Sequence, residues 1–360
     1  MAYITLNRAK LRENFEFLKK TFTDNDVTWG VVSKILCGNR LFLQELIDLG
    51  VKEVHDSRIS NLAMVKSLNP DIQTVYIKPV SKRNVGKMVQ FADVSLNSEF
   101  ETIKWISQEA VEQGKKHKVI IMVETGDLRE GVMGEQLVEF YSQIFQLPSI
   151  EVIGLGTNLN CLNGVMPSTD KLIQLSLYKQ IIELKFNKKI PWVSAGTSVT
   201  IPLMLTQQLP KGINHFRIGE TLYFGVDLFE ERMIDGMNGD VFELYAEIIE
   251  MQEKPLLPVG NLAPNPQGDT AEIDESLYGQ SSFRAIIDIG LLDVDPKYLI
   301  PSDDKYEILG GSSDMLIINL GKNPNNYKVG DTLNFDLKYM GALSLLNSNY
   351  IDKKVIERLD

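Results

Sequence analysis

One lysine of the 360-residue chain stands where an amine needs a use. The run Val27–Val32 is apolar and β-branched and predicts a buried strand, and Lys34 follows it almost at once. An amine there can pair with a carboxylate, bind a phosphate, or form an imine with a carbonyl compound. Further on, Ser194-Ala-Gly-Thr197-Ser198 sets small residues and hydroxyls ahead of a helix, which suits a phosphate. Gly219 opens another short helix two residues after Arg217. If these positions share one rim, an imine to a phosphorylated aldehyde is the coherent chemistry. The plainer readings are an ion-paired or snorkelling lysine and an ordinary N-cap.

Other reactive types fall at similar places. Arg129 lies in Glu124-Thr-Gly-Asp-Leu-Arg-Glu-Gly131, and Asn158 and Cys161 lie in Gly156-Thr-Asn-Leu-Asn-Cys161. Arg129 and Arg217 are either salt-bridge residues or ligand contacts. Cys161 is either a packing group or a thiol in proton transfer. With only His55, His117 and His215, no histidine-based metal site is expected.

The elements that must position these residues are eight short apolar runs, at 27–32, 51–55, 73–77, 94–96, 117–123, 150–154, 192–194 and 214–218. They alternate with helical patterns, the first capped by Asn7, another opened by a Ser98–Glu101 capping box. The expectation is an α/β chain with a (β/α)8 barrel over 1–240, the alternative being an open doubly wound sheet. No dinucleotide fingerprint follows any strand. A barrel carries its chemistry at the carboxyl ends of its strands, and the charged and small residues named above crowd that rim. After about 240 the helical period fades. Strands at 242–251, 283–290, 315–320 and 332–337, with Gly/Pro/Asn-rich connectors, predict a smaller, mainly β domain over 241–360.

A net charge of −11 argues against nucleic-acid and anionic-membrane surfaces. No apolar run approaches membrane-span length, the N-terminus has no signal-peptide pattern, and two cysteines make no disulfide framework. A cytoplasmic protein acting on a small molecule is expected.

With these motifs placed, the chain resembles the alanine racemase superfamily, and within it looks most like the ornithine racemases. The resemblance runs through Val32-Ser-Lys34-Ile-Leu-Cys-Gly38, His55-Asp-Ser-Arg58, Ser95-Leu-Asn97-Ser-Glu99 and the two loop motifs above. It continues in Pro210–Asn214, Arg217-Ile-Gly-Glu220, Asp293-Val-Asp-Pro296 and Gly310-Gly-Ser-Ser-Asp314. It implies pyridoxal 5'-phosphate held as an imine by Lys34, which also acts as one acid/base in interconverting the two hands of a free amino acid. Ser198, Gly219 and Glu220, the last through its backbone, would bind the phosphate beside Ser194 and Thr197. Arg217 would face the pyridine nitrogen, Arg129 the cofactor phenolate or the substrate carboxylate, and Asn158 would replace a histidine beside the ring. Gly38 replaces a family tyrosine. The segment Pro258–Asn265 lacks the tyrosine that serves as the family's second base, which leaves Cys161, Tyr278 and Tyr339 as candidates. The implied assembly is a homodimer whose β domains cover the partner's barrel, with Asp314 at the substrate entrance. The candidate catalytic residues are thus Lys34, Cys161 and Asp314. Asp293, Asp295 and Asp314 are candidates for the side-chain ammonium of ornithine or lysine, against the plain reading of a solvated turn. Alanine is the further substrate alternative. Rival classes are a non-catalytic pyridoxal-phosphate carrier and an aldolase or decarboxylase on the same scaffold.

Overall fold

The computed structural model describes residues 2–264, 268, 270 and 273–357. Asn265, which ends the segment matched to the family's tyrosine, lies outside them.

Eight parallel strands close into a barrel in chain order, so the chain is not an open doubly wound sheet. They are β2 (Thr28–Val32), β3 (Glu53–Asp56), β4 (Gln73–Tyr76), β5 (Val94–Asn97), β6 (His117–Met122), β7 (Ile150–Gly156), β8 (Trp192–Thr197) and β9 (His215–Ile218). The ring closes where β9 pairs with β2, with Gly30 opposite Arg217. Helices return the chain outside the strands. In α1 (Arg8–Asp24), Asn7 accepts from Lys10 N at 3.2 Å, and Leu11, Phe15 and Leu18 are buried on one face. α2 (Arg40–Asp48), α3 (Ile59–Leu68) and α4 (Val85–Phe91) follow, then α5 (Phe100–Glu112), α6 (Leu137–Ile144), α7 (Thr169–Phe186), α8 (Ile201–Leu205) and α9 (Glu220–Phe224). The cap of α5 is Glu99, whose carboxylate accepts from Glu101 N, and not a Ser98 capping box. Glu99 stands one residue nearer the first helical turn.

The remainder is antiparallel. Short β10 (Val226–Asp227) and β11 (Arg232–Met233) pair with each other. An eight-stranded sheet contains β1 (Tyr3–Asn7), β12 (Phe242–Pro255), β13 (Ser281–Ile287), β14 (Leu299–Pro301), β15 (Glu307–Gly311), β16 (Leu316–Asn319), β17 (Thr332–Leu337) and β18 (Asp352–Ile356). The helix α10 (Tyr339–Asn347) follows β17. Contacts divide the chain into one unit of Asn7–Val241 with Val355–Asp360, and another of Met1–Leu6 with Phe242–Lys354. A division at 240/241 would give the whole N-terminus to the barrel. The first strand instead belongs to the β unit, because Tyr3–Leu6 pairs with Phe242–Tyr245.

Candidate active site

Lys34 opens a single 3₁₀ turn, Lys34–Leu36, immediately beyond β2, and its side chain is exposed at the barrel mouth. Below it the backbone is fixed: Ser33 N donates to His55 O at 2.9 Å, and Ser33 Oγ donates to the buried Asp56 at 2.8 Å. Asp56 also accepts from Arg58 N and Asn61, so it braces the β2 and β3 ends. Burial raises the Asp56 carboxyl above its usual range. Burial likewise raises Glu220, and the charge of Lys34 works against that rise. Lys34 therefore sits within electrostatic reach of the start of α9.

That start meets the start of the helical segment after β8. Thr197 and Thr200 form a reciprocal capping box around the turn Ser198–Thr200. Ser198 Oγ accepts from Thr221 N at 3.2 Å, tying the two loops together. The cap of α9 is Gly219, which has no side chain of its own to bond the helix's first amides. The corner is rich in backbone N–H donors, which suits an anion.

Arg217 is buried beside it. Its guanidinium donates to Ser194 O and Oγ, each at 2.5 Å, and to Thr157 O and Asn158 Oδ1, each at 2.7 Å. Every one of these acceptors is neutral. Burial lowers the Arg217 pKa to about 10, far above neutrality, so it remains a cation. Asn158 turns its amide to Glu130, which also pairs with Arg129 through a two-point contact.

The loop after β6 folds back on its own strand. Glu124 N donates to Val132 O at 3.0 Å, and Val132 N to Met122 O at 2.8 Å. Gly131 makes that return possible: its φ is +146°, and a Cβ there would overlap the Glu124 backbone. Asp127, at the loop base, accepts from the amides of Cys161, Leu162, Asn163 and Val165 at 2.9–3.2 Å. The Cys161 residue is exposed, but its thiol sits among the rim charges and desolvation raises its pKa. It holds its proton.

The barrel thus brings together Lys34, Arg129, Asn158, Cys161, Ser194, Thr197, Ser198, Arg217, Gly219 and Glu220. The remaining candidates lie in the β unit. Asp293, Asp295 and Asp314 line one groove of about 880 Å³ with Asp288. Asp293 accepts from Ser348 Oγ at 3.1 Å, and Asp314 is exposed. Asp295 accepts from Lys297 N and pairs with the Lys297 amine at 2.5 Å, as a residue of a solvated turn does. Tyr278 is exposed, and Tyr339 opens α10. Sequence reasoning missed Glu130 and a buried group formed by Glu53, His55 and His215. The period-two pairs Glu53/His55 and His215/Arg217 carried the signal for that group.

The closed barrel thus carries an amine and an anion corner at its mouth, and an antiparallel β unit follows it in the chain. The model for the alanine racemase N-terminal domain matches residues 6–227. Ornithine racemase of Acetoanaerobium sticklandii is 38% identical over 354 residues, 98% of this chain and 99% of that one. Lysine racemase of Thermotoga maritima is 28% identical over 351 residues, 97% of each chain. The crystal structure of alanine racemase from Bartonella henselae with covalently bound pyridoxal phosphate shares the fold at a TM-score of 0.75. The two are 16% identical, with 99% of each chain covered. The chain belongs to the alanine racemase family, and it is an amino-acid racemase.

Proposed function

We propose that the chain racemises free ornithine with pyridoxal 5'-phosphate bound at the barrel mouth. The observation that carries this reading is the position of Lys34, exposed in the turn beyond β2 at the mouth of the closed barrel. The donor set fits the cofactor. An amine for the aldehyde, amides and a hydroxyl for the phosphate, and a fixed cation for the ring nitrogen lie on one rim. Lys34 would hold the group, Thr197, Ser198, Gly219 and Glu220 its phosphate, and Arg217 and Asn158 its ring, with Ser194 supporting Arg217. The chemistry supplied by bound pyridoxal phosphate is acidification of the Cα–H of an amino acid joined to it. Lys34 Nζ moves a proton on one face of that carbon. Cys161, which keeps its thiol proton, is the candidate on the other. Arg217 does not yield a proton readily. It therefore leaves the ring nitrogen unprotonated and favours simple proton return over decarboxylation. Arg129 offers a guanidinium to the substrate carboxylate.

Two grounds favour ornithine, the first over lysine and alanine, the second over alanine alone. One is the likeness to the Acetoanaerobium sticklandii enzyme. The other is the acidic groove, whose Asp293 and Asp314 suit a side-chain ammonium. That groove serves the barrel of a second protomer in the homodimer we propose, within the cytoplasm. The test is a substrate panel followed by chiral chromatography. Ornithine of either hand should yield the racemic mixture, and borohydride reduction should leave the cofactor mass on Lys34. Lys34→Ala should lose both activity and the near-visible absorption band. No interconversion by cofactor-loaded protein would refute the reading, and a preference for alanine would remove the cationic substrate.

A further inference from the structure

One layer below the mouth, the barrel interior holds a charged chain of contacts. Glu53 and His55 alternate on β3, and His215 and Arg217 on β9, so both pairs face inward. Glu53 Oε1 lies 2.6 Å from His55 Nε2 and 2.8 Å from His215 Nε2. Glu53 Oε2 accepts from Gln73 Nε2 at 2.6 Å. His215 Nδ1 lies 2.7 Å from Ser194 Oγ, the atom that accepts from Arg217. Trp192 stacks on the His215 ring, with centroids 4.1 Å apart and planes 9° from parallel. Gly30 provides the space, since a Cβ there would overlap the His55 ring and the Glu53 carboxylate.

The ends of this chain set its order of donors: Arg217 only donates and an ionised Glu53 only accepts. A neutral His215 between them takes the Ser194 proton on Nδ1, while Ser194 Oγ accepts from Arg217. His215 then carries its proton on Nε2 and donates to Glu53. His55 donates to the same oxygen from Nε2, which leaves its Nδ1 a bare acceptor, buried without a partner. Burial works against the Glu53 carboxylate, but the two imidazoles outweigh it and hold the acid ionised. Glu53, His55 and His215 are also a set of types that binds metal ions. Ligand atoms around a tetrahedral zinc stand about 3.3 Å apart, however, which is wider than the 2.6–2.8 Å contacts found here.

We infer that Glu53 is a positioning residue of the racemase: through His215 and Ser194 it fixes the Arg217 guanidinium beneath the ring site. The inference rests on the proposed role of Arg217. Among the described residues Arg217 touches no carboxylate directly; one lies behind Ser194 and His215, and another, Glu130, behind Asn158. The countercharge is thus held one step away. The cation stays directed at the barrel mouth without being neutralised there.

Two measurements test this. The first needs neither substrate nor cofactor: solid-state ¹⁵N NMR of protein labelled only at its three histidines. His215, identified by difference with His215→Asn, should show a protonated Nε2 and a bare, hydrogen-bonded Nδ1. Glu53→Gln should disturb the His55 and His215 signals and leave those of His117, bonded to Ser95 elsewhere in the barrel, unchanged. A proton on His215 Nδ1, or a stoichiometric metal ion in the purified protein, overturns the inference whatever the enzyme does. The second is a double-mutant cycle on the loaded enzyme. Glu53→Gln should lower kcat about tenfold or more, as loss of a charge-assisted bond does. In an Arg217→Lys background it should add no more than about twofold, because both changes strike one unit. Effects that multiply in full would make Glu53 merely structural. Ser194→Ala cuts the same relay without unpairing Glu53, and serves as the second variant should Glu53→Gln fail to fold. Its cycle with Arg217→Lys should be non-additive in the same way.

Discussion

Arg217 and His117 show how the same burial produces opposite charge states. The Arg217 guanidinium starts so high that burial leaves it at about 10 and still charged. An imidazole starts near neutrality, and burial decides its state outright. His117 begins β6 with Nε2 2.8 Å from Ser95 Oγ, and desolvation lowers its pKa from 6.5 to about 4. The unfolded chain therefore binds the extra proton first as the pH falls, and stability is lost between pH 6.5 and 4. A shift of that size amounts to about 3 kcal/mol once the pH is below both values. His55, lowered by the same desolvation, acts in the same direction. The urea midpoint followed by tryptophan fluorescence should fall from pH 7 to pH 5, and His117→Gln should flatten that slope. Equal slopes in the two proteins would show that His117 is not buried neutral. Little of this is legible in a sequence. A histidine at a strand start gives no sign of the serine beside it. Lys34 was legible because an amine stands out against an apolar strand.

Among the elements, the barrel strands announced themselves because parallel strands buried on both faces are short, unbroken apolar runs. The strands β14, β15 and β18 did not. Glu307-Ile-Leu-Gly-Gly and Asp352-Lys-Lys-Val-Ile have no such run, and pairing with a neighbouring strand rather than composition makes them strands. The rim loops were legible as motifs but not as shapes. Asp127 looked like one more acid, yet its carboxylate gathers four amides of the loop after β7 and thereby places Cys161 against the Arg129 loop. Those bonds hold its pKa below the usual range despite desolvation. Asp127→Ala should free the loop. Hydrogen exchange at 161–165 should accelerate at least about tenfold, the result of losing a stabilisation of about 1.4 kcal/mol or more. Activity should fall while the barrel's urea midpoint moves little. Unchanged exchange across 161–165 would mean that the loop is held by something other than this carboxylate.

For the whole molecule, the consequential surprise is that the chain begins in one unit, crosses to the other, and returns. A boundary near 240 reads naturally from the change in texture, but Tyr3–Leu6 carries no mark of a partner more than 230 residues away. Long-range antiparallel pairing is a property of two segments together, and neither segment alone displays it. The pairing places Ile4 opposite Leu244 and Leu6 opposite Phe242, all four fully or nearly fully buried. Ile4→Ala should therefore destabilise the β unit by about 2–4 kcal/mol, the usual consequence of emptying a buried aliphatic site. The molecule reports on its two units separately, since Trp29, Trp105 and Trp192 all lie within Asn7–Val241. Ile4→Ala should leave the tryptophan transition in place while hydrogen exchange rises in β12 and in β17, which pairs with it over Glu243–Glu247. An equal shift of the tryptophan transition would assign the first strand's stabilising effect to the barrel. A displaced tryptophan transition with β12 and β17 still protected would undo the division into units altogether.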